Sequence, residues 1–417
     1  MLDRTQAPPI RQVENITLPE IETYELTNGR NLYVHRESNT GAFKIEILTD
    51  GGNIAASGAS LVQLSIKMLS EGTRNKTSQE LSEAIDSLGS FLEINPGFDH
   101  SSIGIYGLTK YFKANLNLLS EMLYHSAFGE HSLKILKEKE VNRLKMNQEK
   151  GSYLSSINLR KSLFPNHPYG YSLDESEINE LSIESLIRFH QNHLLSFDVY
   201  LAGDLPEDAI KIVQDLFQIN KESINAYQWN HKSEPEFIEV RDQKFIQSSL
   251  KIGRRLFNRN HQDYFKFIVT NEALGGFFGS RLMKNIREDK GYTYGIYSAI
   301  YPLAKDGYFL ISTDVKGENE KETVEEIKKE INLLQNEPIS DAELETVKNY
   351  MIGTFVNSFS TPFAPITKFK TVNAQGIKFE FYQEYISQIK QVTADDILAL
   401  ANQYLSYPSM TVSIVGA

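Results

Sequence analysis

Apolar positions along the chain follow two rhythms, short stretches of period two and longer stretches of period near 3.6. In the first half, "NLYVHRE" (31–37) and "FKIEILTDGG" (43–52) alternate and predict strands. Helical runs follow near 57–71, 77–89, 111–124 and 131–149. In the second half, "FIQSSLKIG" (245–253) leads to a helical pattern over 262–289, then to the hairpin-like "YTYGIYSAIYPLAKDGYFLISTDV" (292–315). Two charged helices at about 318–336 and 340–358 come next. Thr77 with Glu80, and Ser340 with Glu343, have capping-box spacing at two helix starts. Strands and helices mix without strict βαβ alternation, so the predicted class is α+β. Each half is expected to form a mixed β-sheet with helices packed on one face.

The chain also repeats itself. Residues 182–203 read as helix, turn, strand and glycine, and residues 393–416 repeat that order, with Ser182 falling on Thr393, Leu186 on Ile397 and His193 on Tyr404. The period of 211 is half the chain. Solenoid repeats run to roughly 20–50 residues, so this length indicates a duplicated domain. The expected organisation is an N-terminal domain over 1–219, a polar linker over 220–236 ending near Pro235, and a C-terminal domain over 237–417.

Composition narrows the function. With 41% hydrophobic and 23% charged residues and no cysteine, this is a globular chain without disulfides or thiolate metal sites. The net charge of −11 argues against a nucleic-acid binder, because phosphate contacts need clustered Lys and Arg. No apolar run reaches the roughly 18 residues of a membrane span, and "MLDRTQAPPIRQ" lacks the apolar core of a signal peptide. A cytoplasmic location is expected, or a periplasmic one if a leader has been removed.

"GGFFGSRLMKNIREDKGYTYGIYS" (275–298) concentrates glycine, basic residues and tyrosine. Gly291 is expected at the left-handed position past a helix end, with Arg287 in the last turn and Tyr294 three residues beyond the glycine. A phosphate loop would place its glycines at a helix N-terminus in a GxGxxG or GxxxxGK[ST] pattern, which this is not. Spacing alone leaves two readings open. Arg287 and Tyr294 either converge on a ligand, or are a C-terminal cation bonding the last carbonyls and an ordinary strand aromatic.

This segment resembles the C-terminal-domain signature of the M16 peptidases, the family of insulin-degrading enzyme, pitrilysin and the mitochondrial processing peptidase. The likeness extends to "MLSEGTRNKTSQELSEAIDSLGS" (68–90) and "LFPNHPYGYSLDESEINELSIESLIRFHQNHL" (163–194). It implies two homologous α+β halves, and for Arg287 and Tyr294, seven apart, a role in binding substrate backbone near the scissile bond. Active members carry H-x-x-E-H directly before the "MLSEGT" segment, where two His at that spacing hold zinc and the Glu activates the metal-bound water. Gln63, Ile66 and Lys67 occupy those positions here. Ile66 cannot act as a base, and a Lys67 ammonium has no lone pair for a metal. The resemblance assigns the downstream acidic position to Glu138 in "EKEVNR", with an exposed helical Glu among lysines as the alternative.

No other chemistry stands out. His190 and His193 are close on a helix without an acidic neighbour, His125 and His131 are six apart across an expected loop, and His167 sits in a proline-flanked turn. There is no G-x-S-x-G elbow. The resemblance then implies a non-catalytic subunit that binds peptide for a zinc-bearing homologous partner with H-x-x-E-H, and carries no metal itself. A scaffold protein that keeps only the fold is the alternative.

Overall fold

Eleven strands form two sheets in a computed structural model that describes residues 13–218 and 233–417. The first sheet comprises β1 (Glu22–Glu25), β2 (Asn31–Arg36), β3 (Ala42–Thr49), β4 (Phe91–Asn95), β5 (Ser101–Leu108) and β6 (Phe197–Gly203), in the order β1-β2-β6-β3-β5-β4. The second comprises β7 (Phe237–Arg241), β8 (Ser248–Leu256), β9 (Thr293–Pro302), β10 (Gly307–Val315) and β11 (Thr411–Gly416), in the order β7-β11-β8-β10-β9. With β1 set aside, the two orders are the same. In each sheet the last strand of its half is parallel to one neighbour and antiparallel to the other. The duplication read from the chain is thus a duplication of topology, and both sheets are mixed.

The helices are α1 (Ala59–Lys67), α2 (Ser78–Ser87), α3 (Phe112–His125), α4 (Glu130–Gln148), α5 (Gly151–Leu163), α6 (Glu175–Glu180), α7 (Ile183–Phe189) and α8 (Ala209–Leu216) in the first half. The second half has α9 (Tyr264–Asn271), α10 (Glu320–Asn336), α11 (Asp341–Asn357), α12 (Ala364–Asn373), α13 (Phe381–Gln391) and α14 (Ala394–Tyr404). The expected caps form. Thr77 and Glu80 make a full capping box, and Ser340 accepts from the Glu343 amide. Both repeat helices, α7 and α14, also open on capping boxes, at Ser182 and Thr393.

Alternation along β3 sends Phe43, Ile45 and Ile47 into the main core of the first half, while Leu250 and Ile252 of β8 enter that of the second. The opposite face of each sheet is covered by a helix from the other half. α5 lies on β8 and β11, where the Ser155 hydroxyl meets that of Ser249 at 3.1 Å and Ser162 meets Thr411 at 3.2 Å. Its first residue, Gly151, lies so near β11 that a Cβ there would sit 3.3 Å from the Val415 carbonyl oxygen. Reciprocally, α12 lies on β2 and β6, where the Asn373 amide donates to the Tyr200 hydroxyl at 2.9 Å and Lys370 pairs with buried Glu46. Lys44 bonds the same carboxylate at 3.1 Å, so two cations hold Glu46 below the ordinary carboxylate range against the opposing pull of burial. Val13, Ile16 and Leu18 also pack on the second-half core. The halves are therefore interlocked by the exchange of α5 and α12 and by the segment that precedes β1.

One expected element divides. The pattern over 262–289 is not a single helix. α9 widens to a π-turn over Glu272–Gly276, the chain extends at Phe277 (φ −142°, ψ 172°), and a second π-wound segment runs over Met283–Asp289. Gly275 lies in the π-turn just before the break, where a Cβ would lie 2.6–2.7 Å from Ser298 on β9. Helix and strand touch at this point, and only glycine fits between them. The stretch expected as a linker, 220–236, lies outside the described residues as far as 232.

Candidate functional site

Three of the four positions where the resemblance places zinc chemistry lie on α1, and two of them, Gln63 and Lys67, belong to an internal ion cluster. Gln63 is buried, and its Nε2 donates to Oε2 of Glu140 at 3.0 Å. The Lys67 Nζ donates to the other oxygen, Oε1, at 2.6 Å, and Arg143 Nε adds a bond at 3.0 Å. Burial by itself would raise the Glu140 carboxyl, but Lys67 and Arg143 hold it below the ordinary value. Ile66 is fully buried in the first-half core and packs as a plain aliphatic.

Glu138 is a correction. It is exposed, and the carboxylate that meets Gln63 and Lys67 is Glu140, two residues along α4, with only 4% of its surface accessible. The helical period explains the difference. Leu133, Leu136 and Leu144 form the buried stripe of α4, and Glu140 lies on that stripe at i+4 from Leu136 and i−4 from Leu144. Glu138 falls off it. The sequence signal that identifies the site is a single acid inside an apolar stripe.

The donor set does not fit a zinc ion. Gln63 is engaged as a donor, Ile66 offers no atom, and the Lys67 ammonium already satisfies the carboxylate a dication would use. Among the described residues no group of three His, Asp or Glu side chains could hold a metal. The histidines serve elsewhere. His190 is buried with its Nε2 2.8 Å from the Leu123 carbonyl oxygen, and His167 accepts the Tyr169 amide proton in its turn.

Arg287 and Tyr294 do converge. The Arg287 guanidinium lies over the Phe278 ring at 4.5 Å and over the Tyr294 ring at 5.3 Å, held between two aromatic faces. The turn carrying Arg287 is fixed to the helix layer. Arg281 makes a two-point bond to Glu343 on α11 at 2.8 and 3.0 Å, and Asn285 donates to Glu326 and Glu330 on α10 at 2.8 and 2.6 Å. Gly291 takes φ +67° past the end of that turn, as its position in the sequence predicts.

Tyr294 owes its orientation to a β-bulge. Thr293 pairs with Val315 and Ile296 with Thr313, so Tyr294 and Gly295 together oppose Asp314. The extra residue on the edge strand β9 leaves the ladder and directs Tyr294 to solvent, where it is 92% exposed. With Phe278 (59%), Tyr297 (48%) and Tyr350 (45%) also exposed, an aromatic wall lines a cleft of about 590 Å³ that includes Gln247 and Asp314. Exposed aromatic clusters of this kind mark ligand surfaces. Phe278 is the residue that the sequence did not single out, although it lies within the quoted segment.

No helix among the described residues is long and apolar enough to cross a membrane.

Comparison with known proteins agrees with this fold. The family described as "Peptidase M16 inactive domain" matches residues 180–351. An uncharacterized zinc protease, YmxG, of Bacillus subtilis is 24% identical over 81% of this chain and 83% of its own. A Helicobacter pylori protein described as a non-peptidase homolog, YmxG, is 23% identical over 85% of this chain and 84% of its own. A crystal structure described as a peptidase M16 inactive domain from Pseudomonas fluorescens superposes with a TM-score of 0.87 at 20% identity, covering 95% of this chain and 98% of that one. By its architecture and these matches, the chain has the fold of M16 peptidase-like proteins and is similar to them in sequence, most directly over 180–351.

Proposed function

We propose that this protein is the non-catalytic, substrate-binding subunit of a two-chain zinc endopeptidase, working beside a homologous chain that carries H-x-x-E-H and the zinc. The observation that carries the proposal is an asymmetry between two sites. Tyr294 lines the open aromatic cleft with the Arg287 guanidinium against its ring, while Lys67 and Glu140 bond each other at the hydrolytic positions, which supports reading the first pair as a clamp. A chain kept only as a scaffold has no use for an exposed tyrosine directed outward by a bulge.

In this reading the substrate is an extended peptide. Arg287 donates to a peptide carbonyl or to the developing oxyanion, and the Tyr294 hydroxyl donates alongside it. Preorganised donors of this kind are each worth about 3 kcal/mol when water is excluded, which the partner chain would do by closing over the cleft. The test is the cleavage rate of the assembled complex. Arg287→Ala should lower kcat by roughly a hundredfold or more with assembly intact. An unchanged rate would remove the clamp role and leave the scaffold reading.

A further inference from the structure

Beside α5, and separate from the aromatic cleft, lies a cavity of about 310 Å³. Phe98, Tyr153, Ile157 and Leu173 give it apolar walls, Gln63 borders it, and the Arg160 guanidinium faces it. Arg160 is an anomaly. Its Nη2 donates to the Tyr171 carbonyl at 3.0 Å, and its plane lies over Phe98 at 5.2 Å, but its buried Nε–H has no acceptor among the described residues. Burial pulls the guanidinium below its usual range. The groups that oppose this are the Tyr308 and Tyr153 hydroxyls, with no carboxylate beside it among the described residues. Elsewhere Lys44 and Lys370 meet Glu46 and Lys67 meets Glu140, while Lys251 and Arg254, with no carboxylate bonded to them, donate to hydroxyl and carbonyl oxygens; among the described residues Arg160 alone keeps a buried cationic N–H with no acceptor. An arginine cannot shed its proton, so an unmatched one in an apolar wall calls for an anion from outside.

We propose that this cavity binds an amphipathic carboxylate, a ligand whose apolar body is about the size of one large side chain and whose carboxylate is held by Arg160. The planar guanidinium offers parallel donors to a carboxylate, and the aromatic and aliphatic walls take the body. The volume accommodates a body about the size of one large residue. Two sources share this chemistry, a free organic acid and the C-terminal residue of a peptide. The site goes beyond the partner-subunit reading, since every residue of it comes from this chain.

The experiment is calorimetric titration of the full chain, without a partner, using two matched pairs. These are 3-phenylpropanoate against 3-phenylpropanamide, and the peptide Gly-Gly-Phe with a free C-terminus against its C-terminal amide. At least one acid should bind ten times or more tighter than its amide, and Arg160→Met should abolish the preference while Arg160→Lys keeps part of it. Discrimination in the first pair alone assigns a free acid, and tighter binding of the free-ended peptide assigns a chain terminus. Equal binding, or no binding, of acid and amide in both pairs overturns the proposal, as does a preference that survives Arg160→Met. If Arg160→Met does not fold, Ile157→Trp, which fills the cavity and leaves the cation in place, must remove binding instead.

Discussion

Replacing Lys67 by methionine isolates the charge that stands in the family's metal position. The substitution keeps the apolar stem and removes the ammonium, leaving Glu140, 4% exposed, with Arg143 and the Gln63 amide as partners. Taking one partner from a buried ion pair costs about 3–5 kcal/mol. Because Arg143 remains and the Lys67 side chain is 25% exposed, the expected cost is nearer about 2 kcal/mol. The pH dependence identifies the mechanism. Glu140 is held below its ordinary value in the folded state, so its contribution is present above the unfolded carboxylate pKa and is lost as pH falls through the folded one. The cost of Lys67→Met should therefore be full at neutral pH and shrink on acidification as Glu140 takes up a proton. Urea unfolding of wild type and variant at pH 7.5 and pH 4 measures both quantities. A cost below about 0.5 kcal/mol, or one equal at the two pH values, would refute the idea that this ammonium neutralises the buried carboxylate.

Further predictions follow from the same geometry. Gln63→His with Lys67→His places two imidazoles on one face of α1 beside Glu140, and the double variant should bind about one zinc per chain where wild type binds none, as read by metal analysis after dialysis. It should remain without peptidase activity, because Ile66 supplies no base. Glu272, packed beside Gly276 without an ion-pair partner among the described residues, is pushed up to about 7 by burial. Its cost to stability appears as pH rises from the ordinary carboxylate range through that value. Glu272→Gln should accordingly stabilise the fold by about 1–3 kcal/mol at pH 8 and leave it unchanged at pH 4, which thermal melts at the two pH values will show. Arg287→Ala in the isolated chain should cost less than about 1 kcal/mol, since what it loses is a pair of exposed cation–π contacts.

Local rules in the sequence carried the elements a long way. The period-two stretches became β2 and β3, the capping spacings at Thr77 and Ser340 became caps, and Gly291 took the left-handed conformation its place past a helix end requires. What could not be read locally depends on contacts between distant segments. The need for glycine at 275 exists because β9 passes against it, and the exchange of α5 and α12 between the sheets joins residues from 94 to 323 positions apart, such as Ser155 with Ser249 and Lys44 with Thr367. Periodicity gives a helix an apolar face without saying which sheet will receive it. At the site, the resemblance gave Gln63, Ile66, Lys67, Arg287 and Tyr294 their positions. The choice of Glu138 over Glu140 overlooked the stripe on α4 that the chain itself displays. Arg160 stayed unnoticed because its oddity is a missing partner, which only packing reveals.

The central claim, that this chain supplies substrate binding to a catalytic partner, is tested most directly by isolating the tagged chain gently from its native cell and identifying by mass spectrometry what accompanies it in a one-to-one ratio. The account predicts a homologous chain of similar size bearing H-x-x-E-H. A homodimer, or an unrelated partner, would contradict it.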